Sequence, residues 1–138
     1  MLTKQKHRII IDTNLWISFL LTGNYSKIDS LLNNNDCILL FSKELISEFI
    51  EVAQRPKFRK YFLVSDLENL LIKMHEKALF ISVTSDINIC RDSKDNFLLT
   101  LSKDGKATHL LTGDHDLLVL KKIGKTKIIT ITDYLSEL

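Results

Sequence analysis

Carboxylates gather in four short patches of this chain: Asp12 in IIIDTN, Glu48 in ELISEFIE, Asp95 in RDSKDNF, and the Asp114 and Asp116 pair in LLTGDHDLL. Three of the four sit just after apolar runs that read as buried strands, or at the start of the helix that follows. In an open parallel sheet such positions lie along one edge, the edge at which ligands bind. Carboxylates far apart in sequence would therefore converge in space. Two of them about 4 Å apart repel by roughly 4 kcal/mol at an effective dielectric of about 20, so a cluster needs cations. A hard divalent metal is the economical partner, because magnesium and manganese prefer carboxylate oxygens. The reaction that such a site supports is hydrolysis of a phosphodiester.

Each carboxylate also has an ordinary alternative. Asp12 or Thr13 could simply cap the helix after the first strand, and Asp114 the helix after Gly113. Glu48 lies on the flank of the apolar face formed by Leu45, Ile46, Phe49, Val52 and Ala53, whereas Glu44 and Glu51 point nearly opposite to it. An ion pair would satisfy it as well as a metal. Asp92 and Ser93 read as caps, Asp95 as a group one to three residues into its helix, and Asp116 as a second ligand or a solvated charge. Four ordinary roles falling together on one sheet edge would be a coincidence.

The elements that must position these groups follow from the pattern of apolar residues. Runs of four or five alternate with longer amphipathic stretches, the signature of βαβ units around a parallel sheet. Strands are expected at His7 to Ile11, Cys37 to Phe41, Leu79 to Val83, His109 to Thr112 and Lys127 to Ile131. Helices are expected from about Leu15 to a break at Gly23-Asn24, from a Ser26 cap to Asn33, from a Ser42 cap to about Ala53, and over Asp66 to Ala78. Further helices begin near Asp95, with Phe97, Leu98 and Leu101 facing inward, and at Asp114, and Thr132 or Asp133 caps a terminal turn. Pro56 ends the helix that carries Glu48.

Bulk properties set the frame. The chain has 138 residues, 45% hydrophobic and 26% charged, with a formal net charge of +2; residues 1–138 read as one domain. Its longest apolar stretch, Leu15 to Leu21, is far short of a membrane span, and the start is too short in apolar residues for a signal peptide. Cys37 and Cys90 form no CxxC pair and read as buried thiols, so a cytoplasmic protein is expected. There is no GxGxxG and no GxxxxGK[ST], which leaves dinucleotide and P-loop binding without support. The histidines show no metal-ligand spacing. The basic run Arg55-Pro56-Lys57-Phe58-Arg59-Lys60 could grip a nucleic-acid backbone. It reads equally as a solvated connection with Phe58 in the core.

Taken together, IIIDTNLWIS, SKELISEFIEVAQRPKF, CRDSKDNFLL, HLLTGDHDLL and ITITDYL resemble the PIN-domain nucleases, in particular the prokaryotic members associated with toxin-antitoxin pairs. IDTN alone is a weak signal; the ordered set, spanning almost the whole chain, is strong. The resemblance implies a three-layer α/β/α fold with a short, mainly parallel sheet. It implies an acidic site of Asp12, Glu48, Asp95 and Asp114, with Asp116 as an accessory, holding Mg²⁺ or Mn²⁺ for RNA cleavage to a 5′-phosphate and a 3′-hydroxyl. Thr13 and Asn14, which match the family's DTN run, and Ser42 would support it. The partners implied are RNA, a cognate antitoxin protein and a second copy of the chain, with no membrane. Thr108 and His109 stand where relatives more often carry an acidic and an aromatic residue. The competing expectations are a non-catalytic scaffold of the same fold, a member acting in RNA processing or decay, and a related DNA nuclease.

Overall fold

The computed structural model describes residues 6–34, 36–83 and 93–137, with 93–95 described at the backbone only. Its centre is a six-stranded sheet made of β1 (His7–Ile11), β2 (Cys37–Phe41), β3 (Ala78–Phe80), β4 (His109–Leu111), β5 (Lys122–Ile123) and β6 (Thr126–Ile129), in spatial order β3-β2-β1-β4-β6-β5. Every neighbouring pair is parallel except β5 and β6, which form an antiparallel hairpin at one edge. Ile9, Ile10 and Ile11 are all essentially solvent-free although successive strand residues point to opposite faces. Both faces are therefore covered, which makes this an α/β fold with helices on either side of the sheet.

Order matters more than number here. From β1 the chain builds outward to β2 and then β3 on one side, and afterwards returns to lay β4 and β6 on the other. The switch in direction falls between β1 and β4, and the carboxyl ends of these two strands open the crevice that such sheets use for ligands. Ile11 is paired with Leu111 across it, and the Asp12 amide donates to the Leu111 carbonyl at 3.0 Å.

The helices are α1 (Thr13–Thr22), α2 (Ser26–Leu32), α3 (Lys43–Ala53), α4 (Pro56–Arg59), α5 (Val64–Lys77), α6 (Ser93–Asp104), α7 (His115–Leu118) and α8 (Ile131–Ser136). Helix α1 packs on α3 and α5, and α3 on α6. Trp16, wholly buried, meets Phe19, Phe41 and Phe49 with ring centroids 6.0 to 6.4 Å apart. Helix α1 stops at Gly23, whose φ of 67° lets its amide reach back to the Phe19 carbonyl. At Gly105, which follows α6, a side chain would begin 2.9 Å from both the Leu101 carbonyl oxygen and Leu40 Cδ1, so only glycine fits that approach to β2.

The pattern of apolar residues placed most elements and missed a few. A hairpin partner, β5, precedes the last strand, which covers Thr126–Ile129 rather than Lys127 to Ile131; two residues are too few to register as a periodic run. The third strand ends at Phe80, short of Val83. Pro56 does end α3, but it also opens the short helix α4, where its fixed φ suits the first helical position. Tyr25 rather than Ser26 caps α2, and Thr130 caps α8, its hydroxyl accepting from the Asp133 amide. Phe97, expected inside, is 54% exposed, while Leu98 and Leu101 are buried as expected. Cys90, Asp92 and the loop from Thr84 lie outside the described residues.

Candidate functional site

Asp12 leaves the end of β1 and becomes the N-cap of α1. It is only 6% exposed. One carboxylate oxygen, Oδ1, accepts from the Asn14 amide at 3.3 Å; the other, Oδ2, accepts from the Thr112 hydroxyl at 2.8 Å. Burial raises the pKa of this carboxyl above the ordinary value, and the negative charge of Asp114 adds to the rise, against the lowering effect of the Thr112 and backbone donors. The bonds it makes come from neutral groups. A buried carboxylate held by neutral donors beside a second acid is a group that a cation would stabilise.

Asp114 arrives from the parallel strand β4 through the Thr112-Gly113 turn. It too is a cap, of α7, with Oδ1 accepting from the Asp116 amide at 2.9 Å. Its own amide donates to the Thr112 hydroxyl at 3.0 Å. Thr112 thus ties the two acidic residues together with a single oxygen, accepting from the Asp114 backbone and donating to the Asp12 carboxylate. Capping and site-building were alternatives from the sequence; in the fold they coincide, because each carboxylate keeps lone pairs beyond its cap bond.

Glu48 comes from α3, where it is half-buried, and its Oε2 accepts from the buried Thr13 hydroxyl at 3.3 Å. Asp12, Thr13, Asn14, Glu48 and Asp114 border one cleft of about 170 Å³. Its remaining walls are Val52, Leu98 and three residues of the basic run, Arg55, Lys57 and Phe58. A second hollow, bordered also by Leu15, Ser18 and Gly113, shares Asp12, Asn14 and Asp114 with the first.

Other expected residues stand elsewhere. Asp116 is exposed at the start of α7 and does not border the cleft. Ser42, 3% exposed, spends its hydroxyl on the amide of Leu45 as the cap of α3. Asp95 falls in α6, whose Leu98 reaches the cleft wall, but its side chain lies outside the described residues. His115 is exposed. Thr112 was not singled out from the sequence at all. The available signal was a hydroxyl at the last position of a buried strand, directly before a Gly-Asp turn.

Among the described residues no group of three histidine, cysteine or acidic side chains could hold an ion unaided. The donor chemistry nonetheless fits a hard divalent cation. Among the described residues the anionic groups bordering the cleft, Asp12, Glu48 and Asp114, are all carboxylates, and magnesium commonly takes only one or two protein carboxylates while keeping several waters. Asp12 and Asp114 would be the first of these, with Glu48 across the cleft. Among the described residues no helix is long and apolar enough to cross a membrane.

Comparison with known proteins places this geometry. A family model described as PIN domain matches residues 8–116, a span that includes every residue bordering the cleft. The uncharacterized protein MJ1680 of Methanocaldococcus jannaschii is 30% identical over 128 residues, covering 88% of this chain and 80% of that one. No solved structure matches.

Proposed function

The chain belongs to the PIN-domain family, whose members are generally nucleases, and from that premise we propose that it is a metal-dependent endoribonuclease. The observation that carries the proposal is the pair of acids at the switch point of the sheet, Asp12 and Asp114, linked by a Thr112 hydroxyl that donates to the Asp12 carboxylate and accepts from the Asp114 amide, and bordering one cleft with Glu48. Asp12, Asp114 and Asp95 would hold Mg²⁺ or Mn²⁺, and Glu48 would complete the set or orient the attacking water. When bound, the ion supplies an activated water and charge stabilisation for the leaving oxygen.

The chain's own residues do the rest. Asp12 is held in one orientation by its two donors, so its lone pairs are aimed before substrate arrives. Thr13 fixes the Glu48 carboxylate by donating to it, which leaves that carboxylate to accept a proton from water rather than to wander. Val52, Leu98 and Phe58 form apolar walls that limit the water at the reacting centre.

A toxin role restrained by an antitoxin protein is the narrower form of the proposal, and it rests on the likeness of the motif set to toxin-associated PIN proteins. Purified protein with single-stranded RNA and Mg²⁺ or Mn²⁺ should yield fragments ending in 5′-phosphate and 3′-hydroxyl. Asp12→Asn should lower the rate by at least about a hundredfold, the order seen when a metal ligand or its support is removed. Expression in a bacterial host should arrest growth with the native chain and not with the variant. No cleavage with either metal, or full cleavage by Asp12→Asn, would return the molecule to the class of non-catalytic scaffolds; growth unaffected despite cleavage would remove only the toxin role.

A further inference from the structure

The cleft is not purely acidic. Formally three carboxylates border it, Asp12, Glu48 and Asp114, and so do two cations, Arg55 and Lys57. With these alone its balance is one negative charge, which repels a phosphodiester. One divalent cation would reverse that sign to one net positive charge, and would bring the cleft to neutrality when Asp95 of the proposed ligand set is counted as well. Without Arg55 and Lys57 the same cation would leave the cleft negative and the substrate still repelled.

The two cations are also held in place. Pro56 at the first position of α4 turns the chain directly after α3, and Arg55 before it is extended, with φ −65° and ψ 140°. Phe58, half-buried, packs against the core from the same short helix, and the Lys57 ammonium lies 4.9 Å from the centre of its ring. Among the described residues Arg55 pairs with Glu51, one turn back on α3, at 3.3 Å and with both side chains exposed. An exposed pair of that kind is weak, so a phosphate can displace it.

We infer that Arg55 and Lys57 are the substrate-gripping residues of this site, binding the phosphates that flank the scissile bond of a single-stranded nucleic acid. The inference rests on the proposed nuclease reading for its reaction, not for its binding chemistry. Arg59 and Lys60 belong to the same basic run but do not border the cleft. They provide an internal control of equal charge.

The test compares Arg55→Gln, Lys57→Gln and the double variant with Arg59→Gln, using anisotropy of a labelled single-stranded RNA with Ca²⁺ present, and cleavage with Mg²⁺. Each cleft variant should weaken RNA binding and raise KM about tenfold, as loss of a charge-assisted phosphate contact does. The salt slope of binding should fall by about 0.7 per cation removed. Arg59→Gln should match the native protein, and Mn²⁺ binding by calorimetry should be as tight in the cleft variants as in the native chain. If the native chain binds RNA and the cleft variants bind it as well as Arg59→Gln does, the grip is overturned and the nuclease reading stands. Binding that depends on Arg55 and Lys57 without any cleavage sinks the nuclease and keeps the grip, and no binding of RNA by the native chain overturns both.

Discussion

Thr112 is the residue on which the geometry of the two strand-end carboxylates turns. Its buried hydroxyl accepts from the Asp114 amide and donates to Asp12 Oδ2, so removing it loosens one carboxylate and leaves one part-buried N–H without its partner. Thr112→Val keeps the shape and deletes only the hydroxyl. We expect it to cost about 1 to 3 kcal/mol in stability for the unsatisfied donor and to lower kcat/KM by about 10- to 100-fold, as loss of an outer support of a metal site does. Thr112→Ser should restore most of both. Denaturant midpoints and RNA cleavage rates check this, and a Thr112→Val chain that cleaves like the native one would refute the role. The sequence carried only a weak signal of this, a hydroxyl directly before a Gly-Asp turn, because a threonine at a strand end otherwise looks like any other β-branched residue.

At the level of elements, Ser42 separates scaffold from site. The sequence marks it both as the cap of α3 and as a supporting residue, and in the structure its hydroxyl is committed to the Leu45 amide. Ser42→Ala is therefore expected to cost about 1 kcal/mol, the ordinary worth of such a cap, and to leave kcat within about twofold. Thermal unfolding and steady-state cleavage of the same preparation would check it; a large loss of kcat without a loss of stability would make Ser42 part of the site after all. Helix α3 nevertheless matters to the cleft, since it brings Glu48 to one wall and ends where Pro56 swings Arg55 and Lys57 onto another. The amphipathic face of α3 was legible because five apolar residues fix its orientation. The sequence left the destination of the basic run open, because a half-buried Phe58 and a solvated Lys57 are equally compatible with a surface turn.

Across the whole molecule, the amino ends of the strands carry a second polar cluster, remote in the sheet from the carboxyl-end cleft. His7 Nδ1 and the Tyr134 hydroxyl are hydrogen-bonded at 2.6 Å, and the His109 ring lies 4.8 Å from His7 and 4.7 Å from Tyr134. Burial, with His7 and Lys127 adding to it against the opposing effect of Glu137, lowers the His109 pKa to about 4. The unfolded chain, with an ordinary histidine near 6.5, binds the proton more readily than the folded one. The contribution of His109 is thus fully present above about pH 6.5 and lost as the pH falls toward about 4. Allowing for its partial exposure, about 1 to 2 kcal/mol should disappear over that window. Urea unfolding at several pH values should show it, with a flatter slope in His109→Phe; equal slopes would refute it. Side-chain order alone is enough for the α/β class, the buried first strand and the acid-bearing strand ends, since burial and period are local properties of the sequence. Tertiary packing alone makes β1 and β4 neighbours at the switch point, lets Thr112 bridge the Asp12 carboxylate and the Asp114 amide, and brings Arg55 and Lys57 to the same cleft. Those juxtapositions reach residues far apart in the chain, 100 positions for Asp12 and Thr112, and tertiary packing, not local propensity, selects them.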